Sequence, residues 1–317
     1  MDIAFAHHLS LGYRGGGEKW LINTANDLSK RGHNVDIYAL PILLEGSRTA
    51  NVEKLLEGVT YHEGKRFHIK ADVSYLTYNP LSFLTFQTKH PRIAGFHAQS
   101  YWAKANLHYG FYPLLAKVAY NLIGSLDVKG YDLIHMISRC YALDAPTVYI
   151  PNYVDSEAWI PIPKLKDFTV VFFSRNNWQK GHDIALALQK CMSSVKFRFS
   201  NGQIPESDMP RFVGECHVAI VPSRVDTFGL SVVEAAMCGV PTVTSPLNTH
   251  VSLDLPLFYA NSVADYIRGI KRLQWYWENR HDIYRAYAGN LRQIAKAQYD
   301  KPFIMDRIEK MLLSVVN

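Results

Sequence analysis

The sequence predicts a two-domain α/β protein, because the order strand, loop, helix occurs in two separate parts of the chain. Residues 2–6 form a short apolar run that indicates a buried strand, and a glycine-rich stretch and a helical pattern follow it. The same order restarts at the apolar run 168–173. Alternating strands and helices are typical of parallel sheets with helices packed on them. A chain of 317 residues is long enough for two such domains.

The first half begins with a complete strand–helix–strand unit. After the strand at 2–6, Leu21, Ala25 and Leu28 recur at helical spacing, and the helix is expected to end at Arg31-Gly32-His33. Short apolar runs predict the remaining strands of this half, at 35–40, 73–78, 92–96, 133–137 and 147–150.

A linker precedes the second half. Residues 151–166 are rich in proline and polar residues, a composition typical of connecting segments. Strands are predicted at 168–173, 195–200, 218–222 and 240–244, and helices at 182–191, 209–215, 230–238, over much of 263–297 and at 300–316. Ligands of open parallel sheets bind at the carboxyl ends of the strands, so functional residues are expected in the loops that follow them.

Composition and charge narrow the class of protein. A hydrophobic content of 48% and a charged content of 20% are those of a globular chain, and no run reaches the roughly 18 apolar residues that a membrane span needs. A net charge of +6 favours an anionic partner, and no nucleic-acid-binding motif is present. The 4 cysteines are scattered, which disfavours a zinc site and predicts buried thiols in a reducing cytoplasm.

The most informative segment of the chain, 223–245, carries two carboxylates, Asp226 and Glu234. Phe228, Gly229 and Leu230 lie between them, at the start of a predicted helix. Backbone N–H groups in a first helical turn attract anions, so this arrangement fits a phosphate attached to a polyol. The ordinary alternative is a helix whose N-terminal acid is only a cap.

Two cations, Arg175 and Lys180, follow the predicted strand 168–173 on one strand-to-helix loop. Arginine can donate two parallel N–H groups to phosphate oxygens, and lysine supplies a compact positive charge. Together they are suited to neutralise a diphosphate leaving group as its bond breaks. The alternative is a solvated loop, which is the usual environment of both residue types.

A glycine-rich stretch with Gly15, Gly16 and Glu18 follows the first strand. Glycines let a backbone approach a phosphate or a sugar closely. Trp20 occupies the place of the last glycine of a GxGxxG motif, which disfavours a nicotinamide cofactor. The alternative interpretation is a flexible surface loop.

Histidines and an aromatic segment complete the candidates of the first half. His97 follows the predicted strand 92–96, where a ligand would lie, although a lone histidine there is more often structural. His7 and His8 end the first strand and compete less well. Residues 101–124 mix aromatics, lysines and aliphatics, which fits either an interfacial segment on anionic lipid or an ordinary amphipathic helix packed on the first domain.

Residues 226–241 resemble the E-x7-E signature of family 4 retaining glycosyltransferases, with Asp226 in place of the first glutamate. The loop with Arg175 and Lys180 resembles the G-R-x-x-x-x-K-G segment of that family, and GG-x-E followed by RGH-x-V resembles its N-terminal signature. The resemblance implies the GT-B fold, two facing Rossmann-like domains with a cleft between them. It implies an acceptor domain at 1–155, joined by a C-terminal helix at 300–317, and a nucleotide-sugar donor domain at 156–299.

The resemblance also implies a reaction. A hexose-like sugar would pass from a nucleotide-sugar to an acceptor hydroxyl, with retention at the anomeric carbon and without a bound metal or cofactor, and UDP- and GDP-sugars are the expected donors. The implied roles are the donor diphosphate for Arg175 and Lys180, close approach to the donor for Gly15, Gly16, Phe228, Gly229 and Leu230, the ribose hydroxyls for Glu234, the sugar hydroxyls for Asp226 and the anomeric centre for His97.

The departure at Asp226 keeps a second interpretation open, a non-catalytic sugar-nucleotide-binding module or a partner subunit of an active transferase. A third is an epimerase or a phosphorylase on the same fold, for which we identify neither the additional acids nor the cofactor lysine. The expected acceptor is a glycan, a lipid-linked or another hydroxyl compound, and nucleic acid is not expected. The expected location is the cytoplasm, with peripheral contact at the inner face of the membrane as an option.

Overall fold

The computed structural model describes residues 1–13, 16–42, 52–77, 85–96, 130–140 and 145–316. They form two compact units, one of Met1–Pro151 with Ile304–Asn317 and one of Asn152–Phe303. Each unit is built on a parallel sheet, so the predicted α/β class is confirmed. The α-helices of the described residues are α1 Gly16–Lys30, α2 His182–Cys191, α3 Met209–Gly214, α4 Leu230–Met237, α5 Asn248–Val251, α6 Val263–Asn279, α7 His281–Tyr299 and α8 Lys301–Ser314.

A seven-stranded parallel sheet forms the centre of the first unit, with the strand order β3-β2-β1-β5-β7-β8-β9. A two-stranded sheet of β4 and β6 accompanies it. The strands are β1 Asp2–His7, β2 Asn34–Ala39, β3 Val59–Glu63, β4 Phe67–Ile69, β5 Val73–Thr77, β6 Phe86–Thr88, β7 Arg92–Phe96, β8 Leu133–Met136 and β9 Thr147–Tyr149. All of β5 and nearly all of β1 is buried, as expected for central strands of a parallel sheet.

A buried tyrosine and a buried histidine on different strands of this sheet form a hydrogen bond. Tyr75 is fully buried on β5, and its hydroxyl lies 2.6 Å from Nδ1 of His135 on β8. Nε2 of His135 lies 2.7 Å from the carbonyl of Ile150 and donates to it, so Nδ1 accepts from the tyrosine. Gly95 on β7 has to be a glycine, because a Cβ there would overlap the Tyr75 hydroxyl. Burial lowers the pKa of His135 to about 4.

The last helix, α8, belongs to the first unit and is held there by the Arg31-Gly32-His33 turn. Arg31 Nη1 donates to Asp306 at 2.8 Å and to Glu309 at 2.7 Å. His33 Nε2 lies 2.9 Å from the other Glu309 oxygen. The segment that resembles RGH-x-V therefore binds helix α8, which lies far away in sequence.

The second unit has a five-stranded parallel sheet in the order β11-β10-β12-β13-β14. Its strands are β10 Thr169–Phe172, β11 Lys196–Phe199, β12 Val218–Val221, β13 Thr242–Thr244 and β14 Phe258–Tyr259. Every residue of β10, β12 and β13 is buried. The predicted apolar faces of α2 and α6 supply the covering layer, with Leu188, Ile270 and Leu273 buried in one cluster with β10 and β12.

Each sheet has one point where the strand order reverses. In the first unit the chain moves from β1 outward to β2 and β3, then returns to β5 on the other side of β1. In the second unit it moves from β10 to β11, then returns to β12. The loops that leave the paired strands at such a point diverge and leave a crevice where ligands bind. In the second unit these loops are residues 174–181 and 222–229, and we call them the switch-point loops.

Four short strands, β3, β4, β6 and β14, were not predicted. β3 and β14 are the edges of their sheets, and their side chains are exposed or half-buried, so they lack the apolar run that marks a central strand. The helical run predicted over much of 263–297 is two helices, α6 and α7. Arg280 breaks it at φ −139° and ψ 60°, and the guanidinium pairs with Asp282 at 3.0 Å. The segment 101–124 lies outside the described residues.

Candidate functional site

The first switch-point loop, 174–181, is shaped by its polar residues and by one glycine. Asn177 accepts a hydrogen bond from the N–H of Lys180 at 2.9 Å and caps a short helical turn, Trp178–Lys180. Gly181 follows at φ 70°, in the left-handed region that favours glycine. A Cβ at Gly181 would overlap the carbonyl of Pro222 on the second loop. The loop therefore turns tightly against its neighbour and presents Arg175 and Lys180 at the carboxyl edge of the sheet.

The second switch-point loop, 222–229, folds around Asp226. Its Oδ1 accepts hydrogen bonds from the backbone of Thr227 at 2.9 Å and of Gly229 at 3.2 Å. Gly229 has φ 93° and begins α4. The N–H of Gly229 is therefore directed at the aspartate in this structure. The carboxylate organises the turn that carries the predicted donor-facing residues.

Side-chain and backbone contacts hold the two loops together. Lys180 Nζ donates to Asp226 Oδ2 at 2.8 Å. Arg224 makes two bonds to the carboxylate of Asp183, at 2.7 and 2.8 Å, and its guanidinium lies 4.7 Å from the centre of the Trp178 ring. Two N–H groups of the second loop also donate to one carbonyl of the first. The two switch-point loops are thus joined by both side-chain and backbone contacts.

The charge of Asp226 is stabilised despite burial. Burial raises the pKa of this carboxyl, but the positive charge of Lys180 and the interaction with His250 outweigh it and hold the pKa well below its usual range. The Asp226 side chain is 9% exposed and that of Lys180 is 26% exposed. Lys180 and Asp226, which the sequence analysis named separately, therefore form an ion pair, and the lysine is the more accessible of the two.

His250 on α5 is a member of this site that the sequence analysis missed. Its Nε2 lies 3.4 Å from Asp226 Oδ2, and its side chain is fully buried. A Cβ added at Gly229 would lie 2.7 Å from Cδ2 of this ring. His250 stands outside the resembling motif, after β13, so no local spacing connected it to Asp226. The available signal was its place in the loop region after a strand of the same sheet.

The other predicted residues of the second unit lie on the same edge. Glu234 is half-buried one turn into α4. Phe228 is buried with its ring 5.8 Å from that of Tyr299, and Leu230 is half-buried at the first position of α4. Arg175 is exposed at the start of the first loop. The structure therefore gathers Arg175, Lys180, Asp226, Phe228, Gly229, Leu230 and Glu234 around one switch point.

The first unit has a buried polar cluster at its own switch point. His7, which ends β1, lies with Nδ1 2.7 Å from the hydroxyl of Thr77 and with Nε2 2.8 Å from Glu18. Burial raises the pKa of Glu18, and the hydrogen bond and charge of His7 lower it by more. Burial and the neighbouring His7 lower the pKa of His8 to about 4. Glu18 of the GG-x-E stretch thus ties α1 to β1.

Three further predictions concern the first unit and metals. Gly16 is exposed at the first position of α1, and a Cβ there would meet no atom within 4 Å. Gly15 and His97 lie outside the described residues. Within the described ranges, no group of three or more His, Cys, Asp or Glu side chains is arranged to hold a metal ion.

A family comparison matches part of the chain. Residues 186–252 match the sequence profile described as glycosyl transferases group 1. The matched segment begins within α2 and ends just after α5, so it includes Asp226, Glu234 and His250, while Arg175 and Lys180 precede it. No curated protein matches the chain in a sequence search.

Solved structures of similar fold span the whole chain. A sucrose-phosphate synthase from Thermosynechococcus elongatus has a TM-score of 0.72 at 14% identity, and the match covers 98% of each chain. HepE of Anabaena, in complex with UDP and glucose, has a TM-score of 0.72 at 16% identity and covers 98% of this chain and 99% of its own. A glycosyltransferase from Rickettsia africae has a TM-score of 0.72 at 12% identity, over 99% of this chain and 98% of its own.

At these identities the structural likeness shows the fold, which is GT-B, and so confirms the fold class that the sequence resemblance implied. The profile match and the fold together support a GT-B glycosyltransferase. In the part of the chain that the structure describes, no helix is both long and apolar enough to span a membrane.

Proposed function

We propose that the protein is a retaining glycosyltransferase that moves a sugar from a nucleotide-sugar to an acceptor hydroxyl without a bound metal. The observation that carries the proposal is the Lys180–Asp226 pair on the two switch-point loops, 2.8 Å apart and joined to Glu234 by the first turn of α4. A cation, a buried carboxylate and a helix start meet at the place where open α/β sheets bind nucleotides.

Lys180 and Arg175 bind the donor diphosphate in this proposal. The Lys180 ammonium is accessible and lies on a short flexible stem, so it can exchange one oxygen partner for another. Arg175 is exposed on the same loop. Negative charge grows on the diphosphate as the glycosidic bond breaks, and these two cations stabilise that charge without a metal ion. The backbone of Phe228, Gly229 and Leu230 lies beside the phosphates.

Glu234 accepts hydrogen bonds from the ribose hydroxyls, and Asp226 contacts hydroxyls of the transferred sugar. The pair corresponds to the E-x7-E signature of family 4 enzymes, with an aspartate first. In a front-face mechanism the departing phosphate oxygen receives the acceptor proton, so retention needs no protein nucleophile. His97, Gly15 and Gly16 contribute the roles near the anomeric centre and the donor that the resemblance implies.

The donor is a UDP- or GDP-sugar. HepE, which shares the fold, is known in complexes with UDP and with UDP-glucose, and these complexes support a uridine nucleotide as the first donor to test. The acceptor is a glycan, a lipid-linked compound or another hydroxyl compound, met by a cytoplasmic protein that touches the inner face of the membrane peripherally.

A second candidate function is a sugar-nucleotide-binding module without catalysis. The contacts of Asp226 favour it, because Oδ1 accepts from two backbone N–H groups and Oδ2 accepts from Lys180. A carboxylate engaged in this way would need to release a partner before it binds a sugar hydroxyl.

One screen separates the two candidates. UDP-, GDP- and ADP-sugars are incubated with the protein in the presence of a metal chelator, and released nucleoside diphosphate is measured. Without its acceptor, a transferase slowly hydrolyses at least one donor, with water receiving the sugar. Binding of a nucleoside diphosphate with no release from any sugar donor, also after an acceptor mixture is added, would favour the binding module.

A further inference from the structure

His250 occupies a fully buried position under the turn that carries Gly229. The ring approaches Gly229 so closely that only a residue without a Cβ fits there. A polar ring in such a place needs partners for both nitrogens. The groups that face the two nitrogens determine how many protons the His250 ring carries.

The proton on Nδ1 is fixed by two acceptors. The Thr244 hydroxyl lies 2.8 Å from Nδ1 and donates its own hydrogen to the carbonyl of Val221 at 3.0 Å, so it accepts from the ring. The carbonyl of Ser245, 3.2 Å from Nδ1, can only accept. His250 therefore carries a hydrogen on Nδ1.

The second nitrogen faces a negative charge. Nε2 is buried without a hydrogen-bond partner, and the nearest charged atom is Asp226 Oδ2 at 3.4 Å. A lone pair on the buried Nε2 would lie beside a carboxylate, which is unfavourable, whereas a proton on Nε2 makes an ion pair. Since Nδ1 already holds a hydrogen, the favoured ring is an imidazolium.

The surroundings of the ring contain a single opposing charge among the contacts that the structure describes. That charge is Asp226, on the loop after β12. Asp226 is itself paired with Lys180, on the loop after β10. From β13 and the residue that follows it, the neighbours are the Thr244 hydroxyl and the Ser245 carbonyl. The Ser245 hydroxyl is paired with Tyr266, 3.1 Å away on α6.

A protonated His250 places Asp226 between two cations, one accessible and one buried. If Lys180 moves to a donor diphosphate, Asp226 loses its nearest positive charge. A buried carboxylate without a counter-charge is strongly unfavourable. His250 cannot leave, because its other nitrogen is bound to β13 and to Ser245.

We propose that His250 is a positioning residue, a buried imidazolium that keeps Asp226 ionised and in place so that Lys180 can pass from Asp226 to the donor diphosphate. The exchange of Lys180 rests on the proposed function. The charge assignment of His250 rests on its contacts alone.

The first test is a double-mutant cycle on ligand affinity. UDP and GDP are titrated by calorimetry against wild type, His250→Leu, Asp226→Asn and the double variant. We expect His250→Leu to weaken nucleoside diphosphate binding by about tenfold or more. In the Asp226→Asn background the side chain at position 226 is neutral, so His250→Leu should reduce the affinity for a nucleoside diphosphate only slightly. Equal losses in both backgrounds would overturn the proposal, because a purely structural histidine is indifferent to the charge of Asp226.

His281→Leu serves as the matched control. His281 is a half-buried histidine at the start of α7, and its ring packs on Trp277, which also contacts His217. His217 precedes β12, at the opposite edge of the sheet. The affinity of His281→Leu for UDP and GDP should equal that of wild type. Should His250→Leu fail to fold, His250→Gln, whose amide nitrogen can still donate to Asp226, replaces it and is expected to lose less affinity.

The second test needs no ligand. NMR of isotope-labelled histidine rings reports which ring nitrogens carry protons. We expect the His250 ring to hold both protons in wild type and only the Nδ1 proton in Asp226→Asn, with both proteins measured in the same buffer. A singly protonated ring in wild type would overturn the proposal. If wild type binds neither UDP nor GDP, the proposed function and the exchange of Lys180 fail together, while the NMR result still decides the charge of His250.

Discussion

Lys180 has two potential partners, Asp226 and the donor diphosphate of the proposed function. It is bound to Asp226 at 2.8 Å, with about a quarter of its side chain accessible. The motif predicted a phosphate-binding lysine and a sugar-binding acid as separate groups. Their direct contact was not predictable from sequence, since it depends on how closely the loops after β10 and β12 approach.

We expect Lys180→Ala to weaken UDP or GDP binding by about 10- to 100-fold, the usual loss for a charged hydrogen bond to phosphate. Calorimetry measures the effect. Lys190→Ala, at an exposed lysine in the last turn of α2, is the matched control and should bind as wild type does. An unchanged affinity in Lys180→Ala would remove this lysine from the phosphate site.

Asp226 is fitted to its own turn by the length of its side chain. Oδ1 bonds the N–H groups of Thr227 and Gly229, a geometry that a longer glutamate breaks. We therefore expect Asp226→Glu, the residue of the resembling signature, to lower both the melting temperature and the rate of donor turnover. Thermal melts and a turnover assay check this. If Asp226→Glu turns over the donor faster at an unchanged melting temperature, the aspartate only reduces activity and the turn does not require it.

At the scale of elements, the site depends on two glycine turns. Gly181 and Gly229 both have positive φ, and each faces a group of another segment where a Cβ would stand. The sequence marked both glycines through the resembling motifs. It could not mark what lies against them, the Pro222 carbonyl and the His250 ring.

Gly181→Ala is expected to destabilise the second unit by about 2 kcal/mol or more, from left-handed backbone strain and from collision with a backbone carbonyl. Gly289→Ala is the matched control. A Cβ at Gly289, exposed on α7, meets no atom within 4 Å, so this change should stabilise by about 0.5–1 kcal/mol. Denaturant melts compare the two. Equal stabilities would mean that the 174–181 loop relaxes easily.

All central strands of the two large sheets were predicted, whereas of their four edge strands only β9 and β11 were. β10 and β12 are fully buried, and their residues are apolar except for Thr169. β3 alternates half-buried and exposed side chains at an edge, and its sequence shows no such run. Helix α2 was predicted with its observed bounds, His182–Cys191, because its apolar face and its preceding glycine are both local signals.

At the scale of the whole molecule, histidines with lowered pKa values make the stability of the fold depend on pH. Burial, with the charge of a neighbouring residue in each case, lowers the pKa of His8, His135 and His217 to about 4. The unfolded value is about 6.5. Each histidine therefore contributes stability above about pH 6.5, and that contribution is lost as the pH falls toward 4.

We expect the free energy of unfolding to decrease between about pH 6.5 and 4. His217→Asn should flatten part of this decrease, because an asparagine oxygen can accept the Thr169 N–H that His217 Nδ1 accepts at 3.0 Å, and it does not titrate in this range. Chemical denaturation across the pH series measures both. A wild-type stability independent of pH in this window would show that these rings are hydrated in solution.

The two sheets, their parallel order and the GT-B class followed from strand–helix alternation and from motifs. The assignment of α8 to the first unit followed from the resemblance rather than from local sequence, since Arg31 and Glu309 lie almost the whole chain apart. The candidate site residues were named where loops carry the motif, and their roles stay predictions. His250 was not, because a buried counter-charge leaves no periodic pattern.

The most direct test of the central claim is release of nucleoside diphosphate from a UDP- or GDP-sugar with a metal chelator present, measured side by side for wild type, Lys180→Ala and Lys190→Ala. The account predicts release by wild type and by Lys190→Ala at the same rate, and a loss of about tenfold or more in Lys180→Ala. Release that requires an added metal ion, or an equal rate in Lys180→Ala, would contradict it.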